Sequence, residues 1–125
     1  MYKPFKSEDE IEAVVRGLES CSRARDDFTH REHLTVAVWY LRNSDGEAAL
    51  EKMRTSLMRF LDHHQVGRVK YKEGLTVAWL TLVDNTMREL PQDLPLTDVT
   101  NIILERLGDS SLIPTSAGEL SQSSR

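Results

Sequence analysis

His30 and His33 stand three residues apart in the run Phe-Thr-His-Arg-Glu-His-Leu that spans 28–34. On a helix, residues three apart share a face. Two imidazoles from one turn can hold one metal ion if a carboxylate or a third imidazole arrives from another element. Glu73 is the strongest candidate for that carboxylate. Glu32 and Glu73 both open a largely apolar run, but Glu32 has Thr29 at capping-box spacing. Glu73 has Lys70 at the corresponding position, and a lysine cannot cap. Should the starts of the two runs meet, His30, His33 and Glu73 make a two-histidine, one-carboxylate set that suits iron or zinc. A second reading needs no metal. His33 sits where a hydrophobic residue often packs on the residue before the cap, here Phe28, and His30 is then a surface residue.

The elements that must position these groups read as helices. Thr29 and Glu32 open a helix over about 30–43, and from Leu34 to Leu41 it is apolar or small almost all round, the pattern of a central helix. Its length is about 21 Å. Before it, Ser7 and Glu10 open an outer helix over about 8–21, with Ile11, Val14, Val15 and Leu18 on one stripe. After it, Ser44 and Glu47 start a helix over about 45–64, carrying Leu50, Met53, Leu57, Leu61 and His64 on one side. A link this short makes antiparallel neighbours. Gly67 ends the pattern, and residues 65–70 read as a loop. A fourth helix over about 71–89 carries Leu75, Val77, Trp79, Leu80, Leu82, Val83 and Met87. It is apolar nearly all round and reads as a second buried, central helix. Beyond the turn bracketed by Pro91 and Pro95, Thr97 or Asp98 caps a fifth helix that Gly108 stops.

The expected fold is therefore all-α: a single five-helix bundle over 1–108, with two buried central helices at about 30–43 and 71–89. A flexible Ser-rich tail over 109–125 follows. Residues 31–37 (Arg-Glu-His-Leu-Thr-Val-Ala) echo 72–78 (Lys-Glu-Gly-Leu-Thr-Val-Ala), and each copy leads to a tryptophan, Trp39 or Trp79. The spacing falls in the range of helical repeats, but the echo fades after the tryptophans. Two similar buried helices drawing on similar small and β-branched residues are the preferred explanation.

The chain has 125 residues, 39% hydrophobic and 29% charged, with a formal net charge of −4. That balance argues against a nucleic-acid partner, whose binding is driven by clustered positive charge. Two local basic groups remain, Arg23, Arg25 and Arg31, and Arg68, Lys70 and Lys72; both read as solvated surface. The lone cysteine, Cys21, excludes an internal disulfide and any CxxC site, and fits a cytoplasmic, reducing compartment. It reads as a small buried hydrophobe. No apolar leader follows Met1, and no run is long enough to span a membrane. Gly-rich phosphate loops, GxSxG and HExxH are absent.

Phe28-x-His30-x-x-His33, then Ala37, Tyr40 and Leu41, followed by Tyr71-Lys72-Glu73-x-x-Thr76 and Trp79, resembles a pattern in a group of small bacterial proteins of unassigned activity. Their pattern is F-x-H-x-x-H-x-x-x-A-x-x-Y-L followed by Y-H-E-x-x-T. The resemblance covers about residues 28–82. It implies a shared pocket at the starts of helices 2 and 4, with His30, His33, Tyr40, Tyr71, Lys72, Glu73 and Thr76 as candidate ligand-binding residues. It brings no activity. Lys72 stands where the pattern has histidine; a cation there repels a metal ion and suits a substrate carboxylate or phosphate.

Three function classes follow. One is a small-molecule or metal-binding protein, enzymatic or not, using a polar pocket. The second is a protein-interaction module, with a homo-oligomer left open. The third, least favoured by charge, is a nucleic-acid-associated regulator.

Overall fold

In the computed structural model, which describes residues 4–108, five α-helices and two single 3-10 turns follow one another: α1 (Glu8–Glu19), α2 (His30–Asn43), α3 (Gly46–His63), α4 (Glu73–Arg88) and α5 (Leu96–Leu107), with the turns at Arg25–Asp27 and Arg68–Lys70. The expected tail over 109–125 lies outside the described residues. No helix among those described is long and apolar enough to cross a membrane.

Local chemistry sets most of the boundaries. Ser7 accepts from the Glu10 N–H at 3.4 Å and starts α1. Cys21 takes φ 60° just past the end of α1, the left-handed residue that closes many helices. Asp45, rather than the expected Ser44, caps α3 by accepting from the Ala48 N–H at 2.8 Å. At the far end of α3 the chain turns through Gln65 (φ 61°) and Gly67 (φ 96°). The Gly67 N–H reaches back to the Leu61 carbonyl there, a conformation glycine adopts without steric penalty. Helix α5 begins one residue before the expected Thr97 or Asp98 cap, with Pro95 at the cap position. The fixed φ of proline is already compatible with that start.

Helix α2 is the centre of the bundle and packs against all four other helices. Its buried residues run almost without a break: Glu32, the five from Leu34 to Val38, and Tyr40. Two residues separate α2 from α3. Phe28 meets Phe60 near one end and Tyr40 meets Ser56 further along, so the pair is antiparallel. Helix α5 lays Leu96, Val99, Thr100, Ile103, Leu104 and Leu107 inward. The segment before α1 is fastened to α5: Asn101 accepts from the Phe5 N–H at 2.8 Å and donates to its carbonyl at 2.9 Å.

Helix α4 corrects the sequence reading. It was expected to be buried and central, yet only Leu80 and Val83 are buried, and Val77 is 38% exposed. It packs on α2, α3 and α5 at the edge of the bundle. Five helices joined by short links can surround one of their number, and α2 holds that place. The apolar residues of α4 have another use, described below.

Thr100 is fully buried on α5, and its hydroxyl oxygen is the only buried side-chain polar atom without a hydrogen-bond partner among the described residues. An unpaired buried hydroxyl is destabilising. Thr100→Val keeps the shape and removes the hydroxyl, so it should raise unfolding stability by about 1 kcal/mol. Urea unfolding followed by circular dichroism checks this; a loss of stability would mean that the hydroxyl has a partner in solution.

Candidate functional site

The first turns of α2 hold their shape through Glu32 and Thr29. The Glu32 carboxylate accepts from the Thr29 N–H at 2.9 Å and from the Thr29 hydroxyl. Burial alone pushes the Glu32 carboxyl up, but the hydrogen bonds from Thr29 outweigh it and hold the group below its usual 4.5. This cap orients the two histidines that follow.

His33 bonds the Thr29 carbonyl through Nδ1 at 3.1 Å. A carbonyl only accepts, so Nδ1 carries the proton and the neutral ring keeps a bare lone pair on Nε2. Desolvation holds the ring below its usual 6.5, with the Thr29 bond working the other way, so it is neutral at pH 7. Its ring meets Phe28 edge-on at 4.5 Å, as the capping geometry predicts. His30 is anchored differently. Its Nε2–H donates to the Leu107 carbonyl at 2.9 Å, and its ring meets Trp79 edge-on at 4.5 Å. One side chain of α2 thereby ties the end of α5 to the wall of α4.

Both rings border a cavity of about 530 Å³ between α2, α3 and α4. Its α2 wall is His30, His33, Leu34 and Ala37, a stripe at helical spacing. Helix α3 supplies Met53, Leu57, Phe60 and Leu61. Helix α4 supplies Leu75, Thr76, Trp79 and Leu80, and this is where its second apolar face goes. Phe28 and Tyr71 close the sides. The exposed lining residues are Arg25, Lys70 and Lys72, so they mark the mouth. The cavity lies at the starts of α2 and α4, and its walls are mainly apolar where a polar pocket was expected.

No family model matches the chain, and no curated protein or solved structure matches it either.

The structure brings together five of the seven expected ligand-binding residues: His30, His33, Tyr71, Lys72 and Thr76 all line the cavity. Tyr40 does not. It lies seven residues beyond His33, about 10 Å along the helix, where its hydroxyl donates to Glu19 at 2.6 Å and meets Ser56 at 2.9 Å. A phenol has one proton, so Ser56 is the donor in the second bond. Tyr40 joins α1, α2 and α3. Glu73 is also absent from the lining. Arg54 on α3 grips it through Nε at 3.0 Å and Nη2 at 2.5 Å, and the Tyr71 hydroxyl donates to it at 2.8 Å. The Arg54 bonds first, then Tyr71, hold the Glu73 carboxyl below its usual 4.5.

Those contacts remove the third member of the expected iron or zinc set of His30, His33 and Glu73. Among the described residues no three His, Cys, Asp or Glu side chains are grouped to hold a metal ion. The physical reason is competition: an arginine fork satisfies a carboxylate in two directions at once. Sequence reasoning missed Arg25 and Lys70 as lining residues, although both basic groups were visible; what it lacked was that one member of the first meets two of the second at one opening. His64, which the sequence places on the apolar side of the third helix, lies against Phe60 and donates to the Arg23 carbonyl at 3.1 Å, away from the cavity lining.

The site titrates with one sign. A group whose folded value is depressed contributes stability above its usual value and loses it as the pH falls through the folded value. His33 is depressed from 6.5, and Glu32 and Glu73 from 4.5. Stability should therefore decline below 6.5 through His33 and again below 4.5 through the two acids. His33→Asn, whose amide can still donate to the Thr29 carbonyl, should flatten the first decline and leave the second. Urea midpoints across that range test this. A profile for the variant that overlays the parent between 6.5 and 4.5 would contradict it.

Proposed function

We propose that the protein binds one small molecule in the cavity between α2, α3 and α4. The observation that carries this reading is the use α4 makes of its apolar residues. Leu75, Trp79 and Leu80 each turn part of their surface to a space of about 530 Å³ rather than committing it wholly to the core. That volume lies within the ~300–1,000 Å³ typical of small-molecule sites, which are mostly apolar with a few placed polar groups. The placed groups here are the His33 Nε2 lone pair and the Thr76 hydroxyl, whose proton goes to the Lys72 carbonyl at 3.1 Å. Each can accept one hydrogen bond from a donor on the bound molecule. No step of bond chemistry is assigned to these groups; the reading is of binding.

The test uses Nile red, a neutral apolar dye. Saturable uptake at one dye per chain, with the emission shift of an apolar environment, is expected. Fluorescence that rises without saturating, or no uptake, would count against the reading.

A further inference from the structure

We infer that the molecule this cavity takes carries one anionic group on an apolar body; this rests on the cavity reading above and names its ligand class. The whole chain has a formal net charge of −4, yet the lining contains three cations, Arg25, Lys70 and Lys72, and no carboxylate. All three are exposed, so they stand at the opening while the interior is apolar. The acids next to them in the chain do not neutralise them. Glu73 adjoins Lys72 but is held by Arg54 and Tyr71. Asp26 and Asp27 adjoin Arg25 but lie outside the lining. Among the described residues no ion pair joins any acid to Arg25, Lys70 or Lys72.

A set of unpaired cations around an apolar opening imposes an order on what can enter. The apolar body leaves water for the walls, a gain proportional to the area covered. The charged head stays at the mouth, where it remains hydrated on one side and meets lysine and arginine on the other. A cationic amphiphile of the same length gains the first contribution and is opposed in the second. A neutral one gains only the first. An acid in place of the cations would reverse the order. Carboxylate and phosphate heads share this chemistry, since a lysine acts on either as a point charge.

The test displaces Nile red from the full chain with decanoate, decyl phosphate, decanol and decylamine at low ionic strength. Decanoate or decyl phosphate should compete at roughly tenfold lower concentration than decanol, the effect expected for a hydrogen bond to a charged group. The better of the two names the head. Decylamine should be the weakest. In the triple variant R25M/K70M/K72M the anions should fall to the level of decanol, with the circular dichroism spectrum intact. Equal competition by decanoate, decyl phosphate and decanol in the parent would overturn the inference and leave the cavity reading standing. So would an anion preference that survives in the variant. No uptake of Nile red, together with no heat on titrating decanoate, would remove the cavity reading and this inference with it.

Discussion

Replacing Ile103 with alanine should lower the unfolding free energy by about 3 kcal/mol, within the ~2–5 kcal/mol of buried Ile-to-Ala changes. Ile103 is completely buried on α5, which packs against α2 more extensively than against any other helix. Truncation removes buried methyl groups and leaves a void that close-packed neighbours fill only in part. Against a total of roughly 5–15 kcal/mol for a domain of this size, the loss is large. It should reach the site as well, because α5 presents the Leu107 carbonyl to His30. Urea unfolding gives the magnitude. A change under ~1 kcal/mol would mean that α5 is not docked on α2 in solution, since changes of that size are ordinary at surface positions.

Ala37→Phe should abolish dye uptake, with an effect on affinity of at least ~tenfold, while the fold survives. Ala37 is buried on α2 and borders the cavity between Leu34 and the α4 wall. A benzene ring fits a void of ~150 Å³, so a phenyl group takes a substantial part of the 530 Å³ present. Its added atoms gain contacts that an empty space denies them. The melting temperature should therefore change much less than in Ile103→Ala. A variant that melts near the parent and still binds dye at parental affinity would place the dye elsewhere. Uptake and unfolding measured on the same preparation separate the two effects.

The two central-helix expectations had opposite outcomes, and the difference is physical. Leu34 to Leu41 read as a buried helix and α2 is one, because four neighbours enclose it. The α4 run reads the same way, but hydrophobicity alone does not say whether an apolar side chain meets another side chain or a cavity wall. Leu75 and Trp79 border the cavity, and Trp79 meets the His30 ring as well. The start of α2 was legible in detail, since Thr29, Glu32, Phe28 and His33 interact within one turn of the chain. Glu73 was not, because its partner Arg54 is 19 residues away on another helix and nothing local announces it. Tyr40 shares a helix with His33, and a seven-residue step keeps it near the same face. Position along the axis decided its role, and that depends on where α1 and α3 cross α2. The cation group at the mouth was visible only as two separate basic clusters. Their meeting is a property of the tertiary fold.

The most direct measurement is a methyl and imidazole NMR titration of the full chain with decanoate. Shifts should concentrate on the methyls of Leu34, Ala37, Leu57 and Leu75 and on the His33 ring, which all border the same space. Shifts confined to Leu41, Leu50 and Val77, in a smaller groove further along the same three helices, with the cavity methyls unmoved, would contradict the account.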